Sequence, residues 1–337
     1  MDFFGFSCFA GLEGGALLII AAGIFLVGLF LTIKGGDWFV DSASWFAEAT
    51  GIPKFVVGAT VVSFATTLPE LLVSVRAAMN GSAQLAIGNA VGSVTANTTL
   101  IMGVSLVAMA GVIRRKEFSV KGGLLLAAIV GLTLLSLGGA LPIWSTAFLW
   151  AIFLAFMTCN LLEGKKSAAA YTSATYEKKE LPRRILFFVL GTASIVLGAE
   201  FLVSSGKTIA AGIGISETII GFTVIALGTS LPEFVTTLTA IRKKENSLSV
   251  GNIIGANIID ATLILPLCAV INGEALPVER INLVFDFPVC IVAVAVAILP
   301  TIFQGKFKKW QGYALLAIYA LYILFLILNE TGHVALC

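Results

Sequence analysis

Apolar residues run along this chain in long blocks separated by short polar stretches, and the blocks have the length of a bilayer crossing. About 20 apolar residues carry a helix through the hydrocarbon core. Blocks of that kind lie at 15–34, 52–79, 84–112, 121–139, 143–163, 183–205, 208–241, 247–272, 281–303 and 310–329, which predicts ten transmembrane helices. Sustained alternation of apolar and polar positions is absent, so the pattern does not predict a barrel. The first block has no basic residue before it and no small-residue cleavage site, and it reads as a retained helix rather than a signal peptide.

Composition narrows the class further. Of 337 residues 58% are hydrophobic and 12% charged, with a mean hydropathy of +1.01, which places the chain among integral membrane proteins. Its surroundings are therefore membrane lipid. Nothing in the sequence points to nucleic acid, to an obligate protein partner, to an enzyme or to a cofactor. The five cysteines, Cys8, Cys159, Cys268, Cys290 and Cys337, are too scattered for a metal cluster and read as small apolar residues. The single histidine, His333, lies in the C-terminal tail, which argues against an imidazole-based transition-metal site.

The net charge of +2 says little, but the placement of basic residues says more. Lys34, the cluster Arg114 to Lys121, the run from Lys165 to Arg184, Arg242 to Lys244, and Lys306 to Lys309 all fall on one side of the ten spans. Of the 21 Lys and Arg, only Lys54, Arg76, Lys207 and Arg280 fall elsewhere. The positive-inside rule then predicts a plasma (inner) membrane protein with both termini outside and the polar stretch 164–182 in the cytoplasm.

Shifting the sequence by 163 residues aligns its two halves without a gap from Asp37/Glu200 to Leu100/Leu263. Gly58, Thr60, Thr66, Leu68, Pro69, Glu70, Asn89 and Gly92 are among the identities. The chain is thus predicted to be all-helical and integral to the membrane, with two five-helix repeats at 1–163 and 183–337 joined by a linker at 164–182. An odd number of helices per half turns the second repeat upside down, the usual construction of a secondary transporter, with its site at the midplane.

Most acidic residues lie at helix ends, but Glu70, Glu233 and Asp260 sit inside apolar spans. A charge at the bilayer centre costs about 2.5–3.5 kcal/mol even on insertion scales, and no Lys or Arg lies mid-span to neutralise these three. A bound cation is the natural counter-charge. In Ser63-Phe-Ala-Thr-Thr-Leu-Pro-Glu70, residues 63, 66, 67 and 70 share one helical face, and Thr229-Ser-Leu-Pro-Glu233 repeats the ending. Pro69 and Pro232 are expected to kink their helices, freeing the carbonyls of Ala65 and Gly228. The next helix of each half adds a second polar stripe, Asn89, Ser93 and Asn97 in one and Asn252, Ala256 and Asp260 in the other. Carboxylate, hydroxyl, amide and carbonyl oxygens are what hard cations such as Ca2+ and Na+ require. Asp41, Glu48 and Asp286 lie near span ends, where snorkelling accounts for them.

These residues resemble the two alpha-repeats of the cation/calcium antiporter superfamily, in particular its prokaryotic sodium/calcium exchanger branch, over about 50–103 and 213–266. The resemblance implies that Glu70 and Glu233 are the central Ca2+ and Na+ ligands, and that Thr66 and Thr229 lend backbone carbonyls. It also implies that Thr67 and Ser230 offer hydroxyls to Na+, and that Ser93, Asn97 and Asp260 contribute from the adjoining helices. Ala256 departs from the family pattern by lacking a side-chain oxygen. The expected activity is Na+/Ca2+ exchange by alternating access, with H+/Ca2+ and K+-dependent exchange as alternatives. A cation channel fits less well, because it lines a continuous pore rather than a pseudo-symmetric pocket.

Overall fold

A computed structural model of the chain describes residues 14–109, 115–170, 178–212 and 228–330. Its helices in chain order are α1 (Gly14–Thr50), α2 (Lys54–Thr66), α3 (Leu68–Met79), α4 (83–108), α5 (Arg115–Ser136), α6 (Thr146–Ala170), α7 (Leu181–Gly212), α8 (Leu231–Arg242), α9 (Asn246–Asn272), α10 (Asn282–Gln304) and α11 (Lys309–Glu330). The only strands among the described residues are β1 (Ala140–Leu141) and β2 (Leu276–Pro277), a short antiparallel pair. Eight of the helices are long and apolar enough to cross a membrane. The bent pair α2 and α3, whose axes differ by 47°, meets the same measure of length and composition when taken together. The expected span at 208–241 lies partly outside the described residues, of which α8 is its last portion.

The first helix is 37 residues long where the hydrophobic pattern predicts 15–34. Lys34-Gly-Gly-Asp37 looks like a helix end, yet its glycines are where α1 meets α7. A Cβ added at Gly28 would lie 2.9 Å from the carbonyl oxygen of Gly198, and one at Gly35 would lie 2.9 Å from that of Gly191. Only glycine lets the two backbones approach so closely. Under the 163-residue shift Gly28 corresponds to Gly191 and Gly35 to Gly198, so each contact exchanges into the other, as an approximate two-fold axis requires.

Beyond Asp37 the helix carries acids that find basic partners. Asp37 pairs with Arg242, Asp41 with Lys243 at 2.7 Å, and Lys54 bridges Glu48 and Glu245, each at 2.7 Å. From Asp37 to Glu48 the helix advances about 16 Å, and along that length Asp37 and Asp41 reach the turn 242–245 directly while Glu48 reaches it through Lys54. Lys54 therefore belongs with Arg242 to Lys244, which corrects its assignment away from the basic side.

The duplication is preserved in the fold. Leu68–Met79 and Leu231–Arg242, Ala83–Ala96 and Asn246–Ile259, and the π-helical turns Asn97–Ile101 and Asp260–Ile264 are each offset by the same 163 residues. Of the spans, α4 and α9 are the most buried, with 78% and 83% of their apolar windows covered, against 17% for α1 and α11. The two polar stripes thus lie on the innermost helices. In the first repeat α6 continues through 164–170, part of the polar stretch expected to be a linker.

Candidate cation site

The two Pro-Glu segments form helix breaks with the same geometry. Thr67 has φ −84° and ψ 2°, and Ser230 has φ −85° and ψ 5°. The expectation that Pro69 kinks a helix from its interior is corrected by the structure. The break falls at Thr67, and both prolines sit in the first turn of the following helix, where a missing amide costs nothing. Glu70 and Glu233 consequently lie in the first turns of α3 and α8, where the helix dipole favours a negative charge.

Both glutamates are enclosed, Glu70 being 1% exposed and Glu233 fully buried, as is Asp260. The ion pairs among the described residues involve none of the three. Both carboxylate oxygens of Glu70, Oε2 of Glu233 and both oxygens of Asp260 have no hydrogen-bond partner among the described residues. The Ser93 and Ser230 hydroxyls and the whole Asn97 amide are in the same condition. A buried polar atom without a partner costs about 1–3 kcal/mol, more if charged, so a cluster of such oxygens persists only if something else completes it.

Four of the hydrogen bonds that do form cross between the halves. Thr67 Oγ1 donates to Glu233 Oε1 at 3.1 Å. Thr66 Oγ1 donates to Asn252 Oδ1 at 3.2 Å, and its repeat counterpart Thr229 donates to Asn89 Oδ1 at 3.3 Å. The Asn89 amide also donates to the Glu70 carbonyl oxygen at 3.3 Å and to Ser74 at 2.9 Å, fixing α3 on α4. Asn257 donates to Thr98 at 2.9 Å. Glu70, Glu233 and Asp260 are close enough to repel one another when charged. Asp260 opens the π-helical turn of α9, which packs on α3, while Asn97 opens the corresponding turn of α4, which packs on α8.

All nine residues expected in the site, Thr66, Thr67, Glu70, Ser93, Asn97, Thr229, Ser230, Glu233 and Asp260, thus lie on the two breaks or the two stripes. Sequence reasoning missed Asn89 and Asn252 as the residues that lock the breaks in place, although their identity across the repeat was a usable signal. It also passed over Thr236 and Thr237, whose buried hydroxyls have no partner among the described residues. Asp286 does not snorkel. It is buried, accepting from Asn282 at 2.7 Å and from Tyr322 at 3.1 Å.

Among the described residues no three His, Cys, Asp or Glu converge as a metal cluster. The donors are the carboxylates of Glu70 and Glu233, that of Asp260 on the adjoining helix, and neutral hydroxyl and amide oxygens. That set suits an oxygen-seeking cation that must also leave: carboxylates hold it, while the hydroxyls and amides adapt to its size.

The chain is 29% identical to the sodium/calcium exchanger MaX1 of Methanosarcina acetivorans, covering 90% of this chain and 97% of that protein. Over 123 residues it is 36% identical to sodium/potassium/calcium exchanger 2 of Gallus gallus, covering 35% of this chain and 18% of that protein. A solved structure of the sodium-calcium exchanger NCX_Mj, soaked with Na+ and Sr2+, superposes with a TM-score of 0.79 at 28% identity, covering 91% of this chain and 99% of that one. Residues 20–162 and 184–328, one block in each half, match the sodium/calcium exchanger protein family, and with its fold and its paired glutamates the chain belongs to that family of membrane antiporters.

Proposed function

We propose that this protein exchanges Na+ for Ca2+ across the plasma membrane through a single pocket that opens alternately to the two sides. The observation that carries this reading is the pair of buried glutamates, Glu70 and Glu233, facing a helix break from each half with three of their four oxygens unpartnered among the described residues. Together they balance one Ca2+. Thr67, Ser230, Ser93 and Asn97 supply the neutral oxygens that Na+ needs, and Thr66 and Thr229 lend backbone carbonyls at the breaks. An empty pocket leaves buried like charges facing each other, which makes reorientation without ions slow and so couples the two fluxes.

In this reading ten helices form two inverted five-helix repeats, residues 1–163 and 183–337, with both termini outside and 164–182 in the cytoplasm. The reciprocal Thr66–Asn252 and Thr229–Asn89 contacts support it, because inverted repeats meet across such an axis. In this reading the ions are cargo rather than a resident cofactor, and the surrounding medium is membrane lipid.

A second reading, in which K+ travels with Ca2+, is favoured by Asp260, a third buried carboxylate where the first half has Asn97, and by the likeness to sodium/potassium/calcium exchanger 2. The test is 45Ca2+ uptake into proteoliposomes loaded with Na+, with K+, or under an imposed pH gradient. Uptake driven by the Na+ gradient is expected, and uptake indifferent to it would overturn the proposal. Glu70→Gln and Glu233→Gln are each expected to abolish exchange while the protein still inserts. Retained Na+-driven activity in both would remove them from the site.

A further inference from the structure

The two halves frame the glutamates with the same fold but not with the same atoms. On α4 the stripe Asn89, Ser93, Asn97 advances four residues at a time and keeps to one face. Asn89, at one end, holds the Glu70 carbonyl oxygen and receives the Thr229 hydroxyl. One turn on, the Ser93 hydroxyl is buried with no partner among the described residues, and one turn further so is the Asn97 amide. The first half therefore buries two unpartnered neutral groups, on successive turns of the helix that packs on the one carrying Glu70.

On α9 the corresponding stripe is Asn252, Ala256, Asp260. Asn252 receives the Thr66 hydroxyl, just as Asn89 receives that of Thr229. Asp260 has two unpartnered oxygens. Between them Ala256 is fully buried and offers a methyl where Ser93 offers a hydroxyl. Asp260 does not replace that oxygen, since it stands one turn, about 6 Å, further along the helix.

We propose that Ala256 determines the ion specificity of the exchanger by leaving the second-half stripe one oxygen short, so that Na+ is held beside Ser93 but not beside Ala256. The inference rests on the Na+/Ca2+ reading above. A hard cation is held by the number and charge of its oxygen ligands. Ca2+ takes most of its binding from the two glutamates, which both halves supply. Na+, with half the charge, draws relatively more from neutral oxygens, and so the loss of one hydroxyl falls mainly on Na+. The pocket is then unequal in its two halves and binds fewer Na+ per Ca2+ than a fully two-fold pocket would.

The experiment uses the full chain reconstituted in Ca2+-loaded vesicles, with 45Ca2+ efflux measured against external Na+. Ala256→Ser is expected to lower the half-saturating Na+ concentration and to raise the Na+ Hill coefficient by up to about one, because that coefficient is bounded by the number of sites. The half-saturating Ca2+ concentration stays within about twofold, since both carboxylates remain. Ser93→Ala is expected to do the reverse, lowering the Na+ Hill coefficient. An Ala256→Ser protein whose Na+ curve superposes on the wild type overturns the inference. If that variant fails to reconstitute, Ser93→Ala decides: an unchanged Hill coefficient overturns the inference and a lowered one upholds it. A wild-type protein without Na+-driven efflux overturns the exchanger reading itself, a result seen before any variant is made.

Discussion

Gly251→Ala should disable the protein through a single added methyl. Gly251 lies on α9 beside Asn252 and packs directly on α2, and a Cβ there would sit 2.3 Å from the carbonyl oxygen of Phe55 and 3.1 Å from the Ala59 nitrogen. The obstruction is backbone, so no side-chain rotation relieves it. Restoring even the closest tolerable contact parts the helices by about 0.7 Å, which forfeits a quarter or more of the dispersion energy between them. A shift of that size also stretches the Thr66–Asn252 hydrogen bond, 3.2 Å long and one residue away, beyond bonding range. Overpacking at about 1–3 kcal/mol and a lost hydrogen bond at about 0.5–1.5 kcal/mol together predict a destabilisation of about 2–4 kcal/mol. In a chain of this size that lowers Tm by roughly 3–6 °C.

Thermal unfolding of the purified protein measures the first effect, and Na+-driven 45Ca2+ flux measures the second, which should fall at least tenfold because the break carrying Glu70 is displaced. Gly123→Ala on α5 is the control. Beyond its own turn of helix nothing among the described residues lies within 4 Å of its added Cβ, so its Tm should be unchanged or slightly higher. Wild-type Tm and flux in Gly251→Ala, or equal damage from Gly123→Ala, would refute the reasoning.

Two further predictions concern the basic face. Lys121 is buried with Nζ 2.7 Å from Glu163 Oε2 and 4.5 Å above the Phe55 ring. Lys121→Met strands a carboxylate whose other oxygen already has no partner among the described residues, so it should cost about 3 kcal/mol. Adding Glu163→Gln should recover part of that loss in a double-mutant cycle read by thermal unfolding. Lys244 holds φ at 62°, whereas its repeat counterpart Gly81 holds 73° with no side chain to strain. Lys244→Gly should therefore raise stability by about 0.5–1 kcal/mol. A lower Tm for this variant would show that the lysine side chain contributes more than its backbone strain costs.

Most of what is local or repeated in this protein was legible from the residues alone. Apolar blocks longer than a membrane is thick could only be helices, because lipid leaves no other partner for the backbone. Two copies of Thr-x-Leu-Pro-Glu inside those blocks located the glutamates, since an unneutralised carboxylate in hydrocarbon demands an explanation. Where a helix ends was not legible in this way. Lys34-Gly-Gly-Asp37 reads as a terminus until Gly191, Arg242 and Lys243, far along the chain, are brought against it. The position of the break at Thr67 rather than at Pro69, the pairing of Thr66 with Asn252, the burial of Asp286 under Tyr322 and the attachment of Lys54 to the basic turn were likewise decided by the tertiary structure. Each depends on groups tens to hundreds of residues apart, and the pattern along one segment carries no information about what packs across from it.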